Sequence, residues 1–393
     1  MASGSLGSVR VRQPEQRCGL SSGGAVTRVL IIDDSAYNRA TLSRLLAGHP
    51  DLQVVGAARD GLEGIRMIRQ HEPHVLTLDL EMPGMDGLSL LRWVMAEQPL
   101  PIVVVTSRES NYSLFQALEL GALDFVLKPG RVSPDLPSIG EELMAKILQI
   151  GHARPRVERL VSQGAPVPRP RPPASLPAVS HGIRLIAMVS STGGPQALQH
   201  ILARLPADFP AAVALVQHMP GEFTGPFARR LDAICSLPVR EARNGDLLRP
   251  GQILLAPGGR HLLVEGMTGS CFRMRVVATQ EGDLHVPSGD LLLDSAARVA
   301  GEAAAGIVLT GMGHDGTRGI SALAAAGGLA VAESERSAIV FGMPGNAIRA
   351  GMIDRVVPLE SMAALMESMT LGCRSYPGEE VMAMPFQQGK GNP

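Results

Sequence analysis

The sequence predicts an α/β protein with two doubly wound parallel-sheet domains, of which the second is larger and carries a β-hairpin. Short runs rich in β-branched residues alternate with segments of helical period along most of the chain. Hydrophobic residues make up 45% of the chain and charged residues 19%, as in folds whose strands are buried on both faces. A proline-rich stretch divides this alternation, and 393 residues exceed what one core usually supports.

Prolines and basic residues set the boundary between the two domains. Residues 152–182 contain seven prolines and five arginines against one glutamate, a composition that buries too little apolar surface to offset its ordering entropy. Both chain ends are rich in small and polar residues, which is typical of tails. The predicted organisation is a flexible extension over residues 1–26, a first domain over 27–148, a linker over 149–182, a second domain over 183–372 and a flexible tail over 373–393.

Five strands are predicted in the first domain, with helical segments between them. They are VLII (29–32), LQVVGA (52–57), HVLTL (74–78), PIVVV (101–105) and DFVL (124–127). Five such βα units predict one parallel sheet with helices on both faces. Ligands of these sheets bind beyond the carboxyl ends of the strands, which directs attention to the residues that follow each strand.

The same alternation returns after the linker. The predicted strands are LIAMV (185–189), AAVALV (211–216), GQILLAP (251–257) and GIVLT (306–310), and the segments PQALQHILARL and LLLDSAARVAGEAA have helical period. The stretch HLLVEGMTGSCFRMRVVA has two apolar arms joined by Met-Thr-Gly-Ser, which predicts a hairpin. The second domain is therefore also expected to be doubly wound.

Bulk properties exclude several classes of function. A formal net charge of -1 gives no electrostatic footprint for nucleic acid. The four cysteines form no CxxC pair, which favours reduced thiols in a reducing compartment and no zinc site; they are Cys18, Cys235, Cys271 and Cys373. No apolar run approaches the roughly 18 residues of a membrane span, and residues 1–26 lack the core of a secretion signal. We expect a cytoplasmic protein without membrane insertion.

Three carboxylates follow predicted strands of the first domain: Asp33 and Asp34 after VLII, and Asp79 after HVLTL. At one sheet edge they would repel one another unless a divalent cation neutralised them, and oxygen-only ligands suit Mg²⁺. Thr106 and Lys128 close two further strands. A hydroxyl and an ammonium group opposite a carboxylate suit a transferred phosphoryl group. Each residue alone is typical of a helix cap or a solvated loop, but their joint placement is not.

In the motifs IIDDSAYNR, LTLDLEMPGMDG, VVVTS and DFVLKP, the first domain resembles the flavodoxin-like receiver domains of two-component response regulators. The resemblance implies that Asp79 accepts a phosphoryl group from a CheA-like histidine kinase. It implies that Asp33, Asp34, Asp79 and the carbonyl of Glu81 hold Mg²⁺, and that Thr106 and Lys128 contact the phosphoryl oxygens. Phe125 matches the aromatic residue whose rotamer follows the switch, although plain core packing is an equal alternative.

The second domain opens with LIAMVSSTGGPQAL (185–198), which places hydroxyl residues at a strand-to-helix turn. Such a turn binds a phosphate or stabilises an oxyanion. It lacks the lysine of a P-loop and the GxGxxG spacing of a dinucleotide site, which favours a nucleophile. His218 follows the next strand as a possible base, and Asp315 follows GIVLT in a glycine-rich loop as a possible orienting group. The residue pattern alone leaves a hydrolase and an ordinary capped turn equally open, and does not choose among the three hydroxyls.

A second resemblance covers residues 183–372. The motifs SSTGGPQAL, VQHMPGEFTGPFARRL, ILLAPGGRHLL, GDLLLDSAA, LTGMGHDGTRG and IVFGMPGNAI resemble the catalytic domain of the chemotaxis protein-glutamate methylesterases, the CheB family. The resemblance implies Ser191 as nucleophile, His218 as general base and acid, Asp315 as orienting group, and N–H groups near Thr192 and Met312 as oxyanion donors. Two departures are Ser190, where the family usually has Ala or Gly, and His314, where it usually has Asn.

The two resemblances together imply a phosphorylation-activated methylesterase and glutaminase that acts on glutamate methyl esters and glutamines of chemoreceptors. The esterase reaction would need no cofactor. Membrane receptor arrays could recruit the protein from the cytoplasm. Two alternatives remain open at this stage: a receptor-binding module with a vestigial hydrolase site, and the same hydrolase serving a chemosensory pathway other than chemotaxis.

Overall fold

The computed structural model describes residues 26–107, 111–128, 136–151, 153, 157 and 182–371. The predicted extension, most of the predicted linker and the predicted tail lie outside these residues, as do Cys18 and Cys373. The two other cysteines are free thiols, and burial raises the pKa of Cys235 to about 12, with Asp232 adding to the shift. Among the described residues, no helix is long and apolar enough to cross a membrane.

The first domain is a five-stranded parallel sheet in the order β2-β1-β3-β4-β5. Its strands are β1 (Thr27–Ile32), β2 (Leu52–Ala58), β3 (Val75–Leu78), β4 (Ile102–Thr106) and β5 (Asp124–Leu127). Its helices are α1 (Ala36–Ala47), α2 (Gly61–His71), α3 (Gly87–Glu97), α4 (Asn111–Glu119) and α5 (Leu136–Ile150). All five predicted strands are present, and the predicted fold class is confirmed.

The end of α5 includes residues 149 and 150, which the sequence assigned to the linker. Ile150 is fully buried, and Ala153 and Val157 beyond it are also buried. These apolar residues belong to a buried hydrophobic cluster rather than standing in solvent, because they continue the apolar positions of α5 past its last turn.

The main sheet of the second domain has seven parallel strands in the order β15-β14-β13-β6-β7-β10-β8. They are β6 (Leu185–Ser190), β7 (Ala212–Gln217), β8 (Val239–Glu241), β10 (Ile253–Leu255), β13 (Ala304–Val308), β14 (Leu329–Glu333) and β15 (Arg355–Val357). The helices are α6 (Gly194–Leu202), α7 (Gly221–Ile234), α8 (Gly289–Ala300), α9 (Thr317–Ala325), α10 (Met343–Arg349) and α11 (Leu359–Thr370). Its central strands, β6 and β7, carry six consecutive buried residues each.

A separate antiparallel sheet contains β9 (Leu247–Leu248), β11 (Arg260–Thr268) and β12 (Cys271–Ala278) in the order β11-β12-β9. It includes the predicted hairpin, whose turn is shorter than expected because Thr268 already pairs with Cys271. Four strands were missed by the sequence reasoning: β8, β9, β14 and β15. Three of them have only two or three residues, too few for a period-2 pattern.

Candidate active site and phosphoacceptor site

The structure brings the predicted acidic residues of the first domain together. Ligand oxygens of Asp33, Asp34 and Asp79 lie within 4.8 Å of one another. Asp33 and Asp79 are buried, whereas Asp34 is exposed. The Glu81 N–H donates to Asp79 Oδ1 at 3.3 Å, which places Glu81 at the same pocket. Such a set of oxygen donors fits a hard divalent cation.

Lys128 lies directly after β5 and contacts two of these carboxylates. Its Nζ is 2.5 Å from Asp79 Oδ2 and 3.0 Å from Asp33 Oδ2. Burial raises the pKa of Asp79, and repulsion from Asp33 adds to this, against the opposing contact with Lys128. Although burial opposes it, the contact with Asp79, aided by Asp33, holds the pKa of Lys128 above its usual value. One ammonium group therefore contacts two neighbouring carboxylates and neutralises only part of their charge, which leaves negative charge for a cation to neutralise.

Thr106 and Phe125 occupy different positions in the first domain. The Thr106 hydroxyl is fully buried, and no hydrogen-bond partner for it occurs in the described part of the chain. Phe125 packs outward from β5, with its ring centroid 5.0 Å from that of Phe223 in α7. The aromatic residue therefore bridges the two domains, which goes beyond packing within the first core.

The predicted turn after β6 has the expected geometry. Gly193 has φ +77°, a left-handed conformation that favours glycine. A Cβ on Gly194 would lie 2.0 Å from Gln217 Oε1 and 2.8 Å from the Ser190 side chain, so a larger residue there would displace the Ser190–Gln217 hydrogen bond. Pro195 stands in the first turn of α6. The turn therefore holds Ser191, directly after the strand, at the start of a helix.

Ser190 and Ser191 differ in where their hydroxyl groups lie. Ser190 is fully buried, and its hydroxyl donates to Gln217 Oε1 at 2.7 Å. Ser191 lies one residue beyond the strand and is partly exposed. The Ser190 hydroxyl is thus engaged in a buried hydrogen bond. The serine that stands here in place of the usual Ala or Gly therefore has a structural role. Of the two serines, only Ser191 reaches the solvent-facing edge of the sheet.

Gln217 is a residue of this site that the sequence reasoning missed. Its Nε2 donates to the carbonyl of Ser191 at 2.9 Å and to that of His218 at 3.1 Å. The His218 N–H donates to the Ser190 carbonyl at 3.0 Å. These bonds fix the ends of β6 and β7 side by side. The available sequence signal for Gln217 was its position as the last residue of an apolar strand.

His218 and Asp315 form the predicted pair. His218 Nε2 lies 2.7 Å from Asp315 Oδ2, although the two residues are 97 positions apart in the chain. Because Nε2 is engaged by the carboxylate, Nδ1 is the nitrogen left for a proton from a hydroxyl group. No hydrogen bond joins the Ser191 hydroxyl to the imidazole among the described residues, and the link between the two strand ends is the backbone bond from the His218 N–H to the Ser190 carbonyl.

Asp315 is buried at the amino end of α8. Its carboxylate accepts the N–H groups of Gly289 at 2.6 Å and Asp290 at 2.9 Å, and the Ser288 hydroxyl at 3.2 Å. Burial alone would raise the pKa of Asp315, but the bond and charge of His218 and these N–H groups hold it well below its usual range. The carboxylate therefore stays ionised, as an orienting group must.

Two further histidines surround the pair. The His285 ring stacks on that of His218 with centroids 4.9 Å apart and an angle of 4°. His314, the second departure, is exposed and meets His285 edge-on at 6.2 Å. Burial lowers the pKa of His285, and the neighbouring His218 adds to the shift. The sequence reasoning missed His285, and the available signal was its position three residues before the Ser288 cap of α8.

The predicted oxyanion donors lie at two adjoining turns. Ser191 N–H donates to the Thr310 carbonyl at 3.0 Å, which joins the nucleophile turn to the loop after β13. Within the described part of the chain, no hydrogen bond engages the backbone N–H of Thr192 or of Met312. Both donors are therefore available at this edge of the sheet.

The first domain packs on this same edge. The Thr192 hydroxyl donates to Asp124 Oδ2 at 2.5 Å, and the Gly193 N–H donates to the Leu123 carbonyl at 3.1 Å. The ring of Phe115 in α4 lies 5.8 Å from that of Phe227 in α7, nearly parallel to it. The start of β5 thus covers the turn that carries Ser191.

Two features define the class of protein. One sheet carries a pocket of the phosphoacceptor type, and the other carries a serine, a histidine and an aspartate at its strand ends. This class is a response regulator whose output domain is a hydrolase. Residues 29–134 match the family model described as the response regulator receiver domain, and residues 186–366 match that of the CheB methylesterase.

Similar proteins specify the family. A relative in Geobacter sulfurreducens named protein-glutamate methylesterase/protein-glutamine glutaminase 3 is 43% identical over 86% of this chain and 95% of its own length. A second relative, protein-glutamate methylesterase/protein-glutamine glutaminase 1 of Oleidesulfovibrio alaskensis, is 41% identical over 87% of this chain and 99% of its own length. The solved catalytic domain of Thermotoga maritima CheB methylesterase is 35% identical over 47% of this chain and 98% of that one, with a TM-score of 0.46. The chain belongs to the CheB family of protein-glutamate methylesterases/protein-glutamine glutaminases.

Proposed function

We propose that this protein is a phosphorylation-regulated methylesterase and glutaminase that hydrolyses glutamate methyl esters and glutamine side chains of chemoreceptors. The observation that carries the proposal is the His218–Asp315 hydrogen bond beside the Ser191 turn, with the receiver packed on that turn. The two activities share one chemistry, because an ester and an amide carbonyl both accept a hydroxyl nucleophile.

In the proposed mechanism the Ser191 hydroxyl attacks the side-chain carbonyl while His218 Nδ1 takes its proton. Asp315 stabilises the imidazolium that forms, because its carboxylate accepts the Nε2 proton at 2.7 Å. The N–H groups of Thr192 and Met312 receive the developing oxyanion. His218 then returns the proton to the leaving methanol or ammonia, and water hydrolyses the acyl-enzyme by the same steps in reverse order. These groups complete the reaction without a cofactor.

The proposed regulation begins at Asp79, which accepts a phosphoryl group from the phosphohistidine of a CheA-like kinase. Lys128 Nζ, 2.5 Å from Asp79 Oδ2, would bind a phosphoryl oxygen. The Thr106 hydroxyl, which has no hydrogen-bond partner among the described residues, would bind another. Thr106 is the last residue of β4, and Lys128 follows β5, whose first residue Asp124 contacts Thr192 in the second domain. We propose that 27–148 acts as the receiver and 183–372 as the catalytic domain, with the receiver restraining access to Ser191 until Asp79 is phosphorylated.

The acidic pocket fits Mg²⁺ on the chemistry of its donors. Asp33, Asp34 and Asp79 supply oxygen ligands within 4.8 Å of one another, and the Glu81 carbonyl is a further candidate. Bound there, the ion would neutralise the carboxylates and the entering phosphoryl group. Asp33 is held for this role by the Ser35 N–H at 2.8 Å and the Asn38 amide at 3.2 Å.

The test is methanol release from methylated chemoreceptor, with and without a small phosphodonor. The wild-type protein should release methanol faster with the phosphodonor, and Asp79→Asn should keep the low basal rate and lose the response. Ser191→Ala should lose methanol release under both conditions, whereas Ser190→Ala, which changes the buried neighbour, should retain most of it. Equal stimulation of wild type and Asp79→Asn would contradict the proposed regulation.

The two alternatives from the sequence give different results in this assay. A receptor-binding module with a vestigial site would bind methylated receptor but release no methanol, and Ser191 would not react with a fluorophosphonate. A hydrolase of another chemosensory pathway would react with the fluorophosphonate but act only on a different methylated receptor. The ionised Asp315 and its bond to His218 favour a working hydrolase over a vestigial one.

A further inference from the structure

His261 of β11 has no part in the mechanism above, yet it is buried beside the active site. Its side chain is 2% exposed. The Ser288 N–H donates to its Nδ1 at 3.1 Å, and its Nε2 lies 2.8 Å from Asp283 Oδ2. Because a backbone N–H can only donate, Nδ1 must be the acceptor, so Nε2 carries the proton and donates it to Asp283. Both ring nitrogens are therefore committed to the segment 283–288.

Both ends of this segment are fixed by the same imidazole. At one end, Asp283 also accepts the Gln280 N–H at 2.6 Å, which closes a turn after β12. At the other end, Ser288 caps α8 by accepting the Leu291 N–H at 3.4 Å. A buried ring that holds a loop at two points five residues apart limits the conformations that the loop can adopt.

The fixed segment delivers two groups to the catalytic pair. The Ser288 hydroxyl donates to Asp315 Oδ1 at 3.2 Å, and the His285 ring stacks on His218 at 4.9 Å. One contact orients the carboxylate and the other covers a face of the imidazole. A shift of the segment would therefore disturb both members of the pair at once.

We propose that His261 and Asp283 are positioning residues of the hydrolase, which hold segment 283–288 so that Ser288 orients Asp315 and His285 orients His218. The inference deepens the proposed function and rests on it. Hydrogen-bonded partners that orient metal ligands typically change activity by about 10- to 100-fold when removed, and we expect a loss of the same order for partners that orient the catalytic pair. The effect should fall on kcat, because His261 is buried beneath the segment and does not meet the receptor.

The test measures kcat and KM for methanol release by the full-length protein with a phosphodonor. His261→Leu should lower kcat by about 10- to 100-fold with KM changed by less than about twofold. His261→Asn, which keeps an acceptor for the Ser288 N–H, should recover part of the loss. Asp283→Ala changes an exposed residue that does not endanger folding, and should also lower kcat.

Ser295→Ala is the matched control. Ser295 is buried in α8, and its hydroxyl accepts the Val264 N–H of β11 at 3.0 Å, so the variant loosens the same two elements without touching segment 283–288. It should lower the melting temperature about as much as His261→Leu while kcat stays near the wild-type value. Equal kcat losses in the two variants would show a merely structural role and overturn the inference.

A double variant tests whether His261 acts through Ser288. His261→Leu combined with Ser288→Ala should lose little more kcat than the worse single variant, because the two changes break one chain of contacts. If the kcat loss of the double variant equalled the product of the two single losses, the inference would be overturned. Wild-type kcat in both His261→Leu and Asp283→Ala would also overturn it. A wild-type protein that releases no methanol would instead contradict the proposed function itself.

Discussion

At the residue scale, Asp315 shows how the surroundings of a carboxylate set its state. Burial opposes its charge, but His218 and the first N–H groups of α8 outweigh that opposition and keep the group ionised. The amino end of a helix adds favourable partial positive charge to these bonds. The orienting group of the proposed triad is thus a carboxylate bound to a helix terminus, with His218 as its only side-chain nitrogen partner among the described residues.

His200 in α6 allows a prediction about stability and pH. Burial, aided by the charge of Arg204, lowers the pKa of His200 to about 4. The unfolded chain therefore binds a proton at His200 below pH about 6.5 that the folded chain binds only below about 4. The free energy of unfolding should fall as pH drops through this window, and urea titrations at several pH values would measure the fall.

The variant that tests this prediction is His200→Gln, measured beside the wild-type protein. Replacing His200 should reduce the pH dependence between pH about 6.5 and about 4, because the group that takes up the extra proton is gone. Some dependence should remain, because burial also lowers the pKa of His285. The pKa of Asp315 is also lowered, but Asp315 takes up its proton only below this window. Its titration therefore does not mask the pH dependence that His200 causes. Parallel curves for His200→Gln and wild type would refute the assignment.

At the element scale, α7 is the main contact of the catalytic domain with the receiver. Its phenylalanines meet Phe115 and Phe125, and its Arg230 contacts the Glu119 carboxylate at the end of α4. Next to α7, the Gln196 amide of α6 donates to the Ala122 carbonyl. The apolar centre contributes binding energy, while the polar contacts at the rim fix the docking position.

Weakening this interface should raise basal activity. Arg230→Ala removes a partly exposed ion pair, which is worth about 0.2–1 kcal/mol, so methanol release without phosphodonor should rise by up to about fivefold. Activity with phosphodonor should stay near the wild-type value, because Arg230 is not part of the site. Arg229→Ala, on the exposed neighbour in the same helix, is the control and should change neither rate. An unchanged basal rate in Arg230→Ala would argue against restraint by the receiver.

At the scale of the whole molecule, β5 connects the two sites. Asp124 at its first position contacts Thr192, Phe125 contacts Phe223, and Lys128 directly after its last residue contacts Asp79. A change at the phosphoacceptor therefore acts on a strand that also covers the nucleophile turn. This arrangement supports coupling through one rigid element with contacts at both ends.

Metal removal should abolish the stimulation that depends on the receiver and leave the basal activity of the second domain. With EDTA, stimulation of methanol release by a phosphodonor should disappear, because the carboxylates of the acidic pocket would repel the phosphoryl group. The basal rate should be unchanged, since Ser191, His218 and Asp315 use no metal in the proposed mechanism. Added Mg²⁺ should restore stimulation. Loss of the basal rate in EDTA would contradict the assignment of the metal to the receiver alone.

Much of the fold and the location of both sites follow from the sequence. All five receiver strands and the main strands of the second sheet were predicted, and the polar residues after them meet at one edge, because parallel strands align their carboxyl ends. The sequence reasoning missed short strands such as β8 and β9, whose pairing depends on neighbours distant in the chain. The roles of the individual site residues stay predictions until the variants are measured.

The sequence by itself determined which chemical groups stand at the strand ends, since strand periodicity and glycine turns are local properties. Only the tertiary structure decided that Ser190 points inward, that His218 meets Asp315 through Nε2, and that His261 and His285 support the pair. It also decided that the receiver covers the Ser191 turn. The physical reason is that these contacts join residues of separate elements, so their geometry exists only once the sheets and helices have packed.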